Sequence, residues 1–453
     1  MSSEKPIVIL GAGLAGVCAA FEAEKRGKQV IVIDKDTKGG GNSTKASSGI
    51  SCFGSSFQKE QGIVDSKEAF LKDFLKSAAG LGDEELADIL VTDGIEVVDW
   101  FRDTFKIDLC VISQCGGHSA PRTHKNPGGI PVGYFMYSTV LKQCEAKENI
   151  KFYRSTIVKN LIIDNGSVVG VHIEREGNEE DLYASSVIIC TGGYQNDHTK
   201  DSLLVKYCPQ YEFYPTTSAA TNTGDGIKLC SSLHPLLLCM DIIQVHPTAF
   251  VPQVEVANAG SRVLAPEALR GVGGIMRFVN ELQTRKYVVD KIDNHITNKD
   301  KHSYLILDEN MVKIYGEKLI AFYLAKGFIV KYENAAALDA ALKLTEGTIQ
   351  HTLEEYNANA AKGCDETDKT VFPNVFHLDQ SLYVGITAPA LHYCVGGLAI
   401  DKEARCLNEN KQIIPGLYAA GEVCGGIHGG NRLAGCSLLD CVVFGRRAGE
   451  YAN

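Results

Sequence analysis

Two short apolar runs separated by glycines at GxGxxG spacing leave a chain few ways to begin its fold. Residues 7 to 34 read IVILGAGLAGVCAAFEAEKRGKQVIVID. Ile7 to Leu10 has buried-strand character, Gly11, Gly13 and Gly16 follow, and an amphipathic stretch ends at Gly27 before a second strand, Gln29 to Ile33. Gly11 permits a tight turn, Gly13 lets a pyrophosphate approach the backbone, Gly16 lets the helix pack closely, and the helix start attracts phosphate charge. Asp34 stands at the second strand tip, where a carboxylate accepts hydrogen bonds from an adenosine ribose. The pattern predicts a dinucleotide cradle and a Rossmann-like α/β domain, but it does not distinguish FAD from NAD.

Further along, Gly39 to Ile50 reads GGGNSTKASSGI, too rich in glycine and small polar residues for a regular element. It is either a surface loop or a second backbone bed, with Asn42, Ser43, Thr44 and Lys45 donating to a cofactor. Asp65 with Glu68 marks a capping-box helix start that Gly80 ends, and Asp83 to about Phe105 reads as one amphipathic helix. His118, Arg122 and His124 lie in an irregular segment, Gly116 to Tyr134, whose spacing matches no zinc pattern and reads instead as a loop packed near a ligand. Asn165-Gly166 joins two strand patterns as a hairpin, and Val187 to Cys190 is another buried strand closed by Thr191, Gly192 and Gly193. Thr223, Gly224, Asp225 and Gly226 precede a short helix in the same style.

The 453 residues call for two or more domains, and 45% hydrophobic with 22% charged residues is ordinary for a globular chain. A net charge of -10 with no basic block argues against a nucleic-acid partner, and no apolar run approaches a membrane span. An acidic body repels dianions at long range, so an anionic substrate requires a local cluster of cations. Fifteen cysteines lack the spacing of a disulfide framework, and no CxxCH or paired CxxC is present for haem, zinc or an iron-sulfur cluster. They read as buried small hydrophobes in a reducing compartment. With Ile7 already in the first strand, the expected location is the cytoplasm, or an organelle if a longer precursor exists.

From about residue 241 to 392 the chain has fewer glycine turns and more helical pattern, with Ile349, Leu353 and Tyr356 on one face. It reads as an inserted α+β domain between a first dinucleotide-binding part, 1 to 240, and a second, 393 to 453. The insertion holds Val245-His246-Pro247-Thr248, then Glu267, Arg270 and a run FVNELQTR ending at Arg285. After it come HYCVGG from His392 and GLYAAGEVCGGIHGGNRLAGCSLLD from Gly416.

In this order, the opening cradle, GGNSTKASSG, TGDG, VHPT, PEALRG, FVNELQTR, HYCVGG and GLYAAGE with HGGNRL resemble the FAD-dependent soluble fumarate reductases. These are part of the fumarate reductase and succinate dehydrogenase flavoprotein superfamily. The resemblance spans nearly the whole chain. It implies an FAD bed formed by Gly11, Ala12, Gly13, Leu14, Ala15 and Gly16, by Asp34 and Lys35, and by Gly41, Asn42, Ser43, Thr44, Lys45, Ser47, Ser48 and Gly49. Thr191, Gly192, Gly193, Thr223, Gly224, Asp225, Gly421, Glu422, Arg432, Gly435, Ser437 and Leu438 complete it, with Glu422 on the ribityl chain.

The same resemblance implies that Arg285 gives a proton to the substrate and that Glu267 and Arg270 relay protons to it. His246, Thr248, His392 and Arg432 match the family's substrate-binding positions, the two histidines and Arg432 as a clamp on two carboxylates. A guanidinium ordinarily stays charged, so it acts as an acid only beside a strongly basic carbanion in a dry site. Three departures bear on the outcome. No histidine lies in the Asn42 to Ser47 loop, so FAD is expected to be non-covalent. Pro266 replaces a threonine that touches substrate, while Cys394-Val395 replaces Thr-Met and Lys286 replaces Asp. Fumarate, or a related enoate such as urocanate, acrylate or a cinnamate-like acid, is the expected substrate. Reduced flavin or an unidentified partner is the expected electron donor, and a flavin-binding subunit of a larger assembly is the other reading.

Overall fold

The computed structural model describes residues 5–128, 130–251, 278–295, 302–372 and 374–453, and the backbone of Val272–Gly273. It divides into two units. The first comprises residues 1–212, 218–244 and 392–453, and the second 213–217 and 245–391. The second unit therefore includes a five-residue piece expected in the first. Thr216 pairs in parallel with Leu391, and Thr217 N–H donates to the Leu391 carbonyl at 2.9 Å, which ties that piece to the inserted stretch.

The first unit is built on a six-stranded sheet. Its strands are β1 (Ile7–Leu10), β2 (Val30–Ile33), β3 (Ile150–Tyr153), β4 (Ser186–Ile189), β5 (Arg405–Leu407) and β6 (Ile413–Ala419), in the spatial order β5-β6-β4-β1-β2-β3. All neighbours run parallel except β5 and β6. β1, β2 and β4 are buried along their whole length, which is why they are apolar without alternation apart from Ser186 at the start of β4. The next strand in sequence lies on one side of β1 and β4 on the other, so chain order reverses at β1. The crevice beyond its carboxyl end is where such sheets bind ligands.

Helix α1 (Leu14–Lys25) leaves that crevice and packs on α2 (Cys436–Tyr451), the last helix of the chain. Small residues permit close approach. A Cβ at Gly445 would lie 2.6 Å from the Ala15 carbonyl oxygen, and one at Gly449 2.2 Å from that of Ala19. The predicted hairpin is present: Thr156–Asp164 and Ser167–Arg175 pair antiparallel, with Asn165 and Gly166 both at positive φ.

Three sequence-level expectations differ from the structure. The helix expected from Asp65 is capped by Ser66 and runs Lys67–Ala78, because Asp65 is committed to Arg122. The stretch expected as one helix to Phe105 is two, Glu84–Gly94 and Val97–Phe105. The glycine-rich segment after β2, expected to be irregular, contains one turn of 3-10 helix at Gly41–Lys45.

In the second unit, Leu382–Cys394 is the long central strand, flanked by Ile243–Phe250 and Ser303–Asp308. Its core gathers Phe250, Leu305, Leu307, Ile320, Leu338, Val384 and the expected helix face of Ile349, Leu353 and Tyr356. Helix Arg285–His295 forms a smaller core with Val279 through Val288 and Ile292.

Candidate functional site

At the carboxyl end of β1 the three glycines play separate roles. Gly11 turns the chain at φ +102°, and a Cβ there would lie 2.3 Å from the Cys190 carbonyl oxygen. At Gly16 it would lie 2.0 Å from the Gly11 oxygen. At Gly13 it would meet nothing nearer than the Ser43 Oγ at 3.6 Å, so that space is open. The Ser43 hydroxyl accepts from Leu14 N–H at 3.1 Å. Asp34 accepts from Ala12 N–H at 2.7 Å and from Asp36 N–H at 2.8 Å, which fixes the turn and directs the carboxylate toward the crevice rim. Burial raises its pKa, opposed by those backbone donors.

The segment after β2 closes against the same end of the sheet. Gly39, Gly40, Gly41 and Gly49 all have positive φ, which other residues adopt at a cost. Asn42 is the pivot: its amide nitrogen donates to Ser218 Oγ and Glu422 Oε2, each at 3.3 Å, and its oxygen accepts from Ala219 N–H at 2.7 Å. Thr44 Oγ1 donates to the Gly41 carbonyl at 3.0 Å. Lys45 and Ser47 are half-buried and Ser48 is buried. Several side chains expected to donate to a cofactor therefore also build the loop itself. Lys35 likewise donates to Thr223 Oγ1 and Asp225 Oδ2, both at 2.6 Å, joining two expected ligand-binding stretches.

Glu422 is buried and receives four donors. They are Gln195 Nε2 at 2.7 Å, Cys394 N–H at 3.0 Å, and the amides of Asn42 and Asn222 at 3.3 Å. Burial raises its pKa and these donors hold it back. Sequence reading missed Gln195 and Asn222, although Gln195 follows the Thr191–Gly193 strand tip and Asn222 immediately precedes the Thr223-Gly224 stretch that it singled out. Gly192 and Gly224 have positive φ, and a Cβ at Gly193 would lie 2.5 Å from Gln195 Oε1. Thr191 Oγ1, just beyond β4, is buried with no hydrogen-bond partner among the described residues.

Arg432 is 3% exposed and makes no ion pair with any described residue. Its Nη1 donates at 3.4 Å to the carbonyl of its own neighbour, Leu433, and its Nε finds no partner among the described residues. The loop that carries it is held firmly. Gln244 Nε2 donates to Asn431 Oδ1 and to the Arg432 carbonyl, both at 2.8 Å. Asn431 exchanges hydrogen bonds with Ser77, and the Ala434 carbonyl accepts from Ser51 Oγ and His118 Nε2. Gly435 caps α2 at φ +75°, where a Cβ would lie 2.1 Å from Ser51 Oγ, so Ser437 and Leu438 stand in the first turn of that helix. Gly421 also has positive φ.

The His118 segment belongs to this support. Arg122, fully buried, forks onto Asp65 at 2.8 Å, binds Asp73 at 2.5 Å and donates to His118 Nδ1 at 3.1 Å. His118 is thus a neutral ring with its proton on Nε2, and burial lowers its pKa to about 4. His124 is equally committed, to the Arg122 carbonyl and Ser55 Oγ. Breaking such a buried ion-pair network typically costs about 3–5 kcal/mol.

His392 is half-buried at the end of its strand in the first unit. His246, Thr248 and Arg285 belong to the second. His246 is buried and its Nδ1 accepts from Thr248 N–H at 3.2 Å, which leaves the ring proton on Nε2 as a donor. Arg285 opens its helix, and the turn before it is fastened by a buried ion pair between Glu281 and Lys369. Asn280 Nδ2 adds a bond to the Asp368 carbonyl at 3.3 Å. Glu267, Arg270 and Pro266 lie outside the described residues.

The residues of the first unit fit FAD. Gly13 leaves room at a helix start for a pyrophosphate, and among the described residues the buried Thr191 hydroxyl has no hydrogen-bond partner and the buried Arg432 cation no ion pair. These features define an FAD-dependent oxidoreductase. Residues 6–438 match the FAD binding domain family model. The chain belongs to that family, within the fumarate reductase flavoproteins. It is 36% identical to "Fumarate reductase 1" of Saccharomyces cerevisiae, over 99% of this chain and 98% of that one. It is 34% identical to "Fumarate reductase" of Schizosaccharomyces pombe, over 98% and 89%. The structure of the open conformation of a flavocytochrome c3 fumarate reductase superposes with a TM-score of 0.78 at 28% identity, over 100% of this chain and 78% of that one. No helix of the described residues is long and apolar enough to cross a membrane.

Proposed function

We propose that the protein reduces fumarate to succinate with FAD held non-covalently. The observation that carries the reading is the buried Arg432 guanidinium, without a carboxylate partner among the described residues, in the unit that forms the flavin bed. A buried unpaired cation is costly, several kcal/mol even after relaxation, unless an anion is meant to arrive. We assign Arg432, His392 and His246 to the two substrate carboxylates. The His246 tautomer supports this, since its Nε2–H is the form that donates to a carboxylate oxygen.

When bound and reduced, FAD would supply the hydride that one alkene carbon receives. Arg285 gives a proton to the other, completing succinate, and Glu267 with Arg270 returns the proton to Arg285 from solvent. The clamp offsets negative charge that builds on the adjacent carboxyl group as the hydride arrives, where fixed donors contribute most. The Glu281–Lys369 pair supports Arg285 by anchoring the start of its helix.

Relatives named for urocanate and acrylate reduction are also similar to this chain, so other enoates form the second reading. Two carboxylate-binding groups favour a small dianion over either. Anaerobic turnover of a reduced flavin dye with fumarate, urocanate and acrylate in parallel, and with succinate in the reverse direction, decides among them. Arg285→Ala is expected to abolish turnover while FAD stays bound. Near-normal fumarate reduction by that variant rejects the acid role.

A further inference from the structure

Behind Arg432 lies a buried group that the reaction outlined above does not use. Tyr393, His428 and Asp440 come from three separate places: the end of the Leu382–Cys394 strand, the loop before Arg432, and the second turn of α2. The Tyr393 hydroxyl donates to Asp440 Oδ2 at 3.1 Å, and His428 Nε2 donates to the same oxygen at 3.2 Å. Asp440 is 0% exposed, and no described lysine or arginine pairs with it. Over the face of the same tyrosine, the Arg432 guanidinium carbon sits 4.6 Å from the ring centre. His428 meets the Tyr393 ring edge-on at 5.5 Å and is backed by Phe74 at 5.7 Å, so the ring is held from several directions.

A buried arginine and a buried aspartate in one cluster would ordinarily close into a bidentate pair. Here each is engaged by one tyrosine instead, Asp440 at its hydroxyl and Arg432 over its ring face. We propose that Tyr393 is a positioning residue that acts as a spacer. It keeps Arg432 from pairing with Asp440, so that the guanidinium donors stay available to a substrate carboxylate. This rests on reading Arg432 as a carboxylate ligand. The ring face attracts the cation and fixes its orientation, while the phenol hydroxyl uses Asp440 as an anchor. Asp440 still offsets part of the burial cost of Arg432 without occupying its N–H groups. A phenylalanine would keep the face but lose the anchor. An aliphatic residue would lose both and let the ion pair close.

The test uses FAD-loaded protein and the dissociation constant for succinate, read from perturbation of the flavin absorption spectrum, with FAD content measured alongside. Tyr393→Leu is expected to weaken succinate binding about tenfold or more, the order expected for losing a desolvated cation–π contact and gaining a competing ion pair. Tyr393→Phe is expected to weaken it by about threefold or less, the scale of one hydrogen bond. Adding Asp440→Asn to Tyr393→Leu removes the competing charge and is expected to recover at least about threefold. A merely structural role for these residues predicts the opposite, a further loss in the double variant. The proposal is overturned if Tyr393→Leu binds succinate within about threefold of the parent protein, or if the double variant binds more weakly than the single. If Tyr393→Leu does not retain FAD, Tyr393→Met replaces it in both comparisons. If the parent protein itself ignores succinate, the dicarboxylate reading is what fails, and the same series is measured with acrylate.

Discussion

The three glycines of the opening motif lend themselves to a paired experiment, because the structure gives them different neighbours. Alanine at Gly16 places a methyl group 2.0 Å from the Gly11 carbonyl oxygen, a backbone atom with no freedom to swing away. Forcing a methylene into such a packed contact costs about 1–3 kcal/mol or more, partly offset by the roughly 0.5–1 kcal/mol that alanine gains over glycine inside a helix. Alanine at Gly13 meets no heavy atom nearer than 3.6 Å, and the local backbone, φ -79° and ψ -175°, suits any residue. Its effect on the apoprotein is therefore confined to the N-cap preference, a few tenths of a kcal/mol up to about 1. Its methyl group fills the space required by the pyrophosphate. The expected pattern is a dissociation: Gly16→Ala lowers the melting temperature of the FAD-free protein by several degrees, whereas Gly13→Ala melts like the parent but binds FAD at least about tenfold more weakly. Differential scanning calorimetry of the apoprotein and fluorescence titration with FAD measure the two quantities. A Gly13→Ala protein with parental FAD affinity would falsify the assignment of the open space to the cofactor.

Other outcomes follow from the same structure. Arg432→Met removes a buried charge that has no ion-pair partner among the described residues, so the FAD-free protein is expected to melt no lower than the parent while the KM for fumarate rises about a hundredfold; a clear drop in melting temperature refutes the view that burying the cation costs more than Asp440 and the Tyr393 ring offset. Arg122→Met is expected to destabilise by about 3–5 kcal/mol in denaturant unfolding, because Asp65 and Asp73 are left buried with no cation. His118 and His124 have folded pKa values lowered from 6.5 to about 4, so the unfolded chain binds more protons and stability is complete above pH 6.5 and declines between there and pH 4. A melting temperature flat across that range contradicts the neutral rings. Among the fifteen cysteines, Cys364 is the exposed thiol and ten are buried, so brief alkylation of native protein followed by peptide mass mapping is expected to mark Cys364 first.

The parts of this fold that were legible in the sequence are those where a local physical demand excludes most residue types. β1 and β2 are buried along their whole length and so are uninterrupted Ile, Val and Leu runs, β4 follows suit after Ser186, and the Asn165-Gly166 turn needs two positive φ angles. Gly11 and Gly16 were readable because close backbone contact leaves no alternative. What was not legible depends on partners distant in sequence. Asp65 resembles a helix cap until Arg122 claims it from 57 residues away. The break between Gly94 and Val97 carries no proline, and a glycine alone is a weak stop. Gln195 and Asn222 looked like ordinary loop residues because their importance comes from a shared acceptor, Glu422, about 200 positions further on. The support of Arg432 by Gln244, Ser77 and His118 is hidden for the same reason.

The crossing of α1 with α2 joins almost the two extremes of the chain, Ala15 and Ala19 meeting Gly445 and Gly449. During synthesis the first helix therefore emerges long before the surface that covers it, and β4 lacks its neighbour β6 over the same interval. The inserted unit, by contrast, has its core residues within one stretch from Phe250 to Val384. A ribosome thus releases a chain whose middle is ready to fold before its beginning is. The flavin bed becomes whole only when the last forty residues arrive, roughly the span from β6 to α2, which makes late closure by long-range pairing the slow step of maturation.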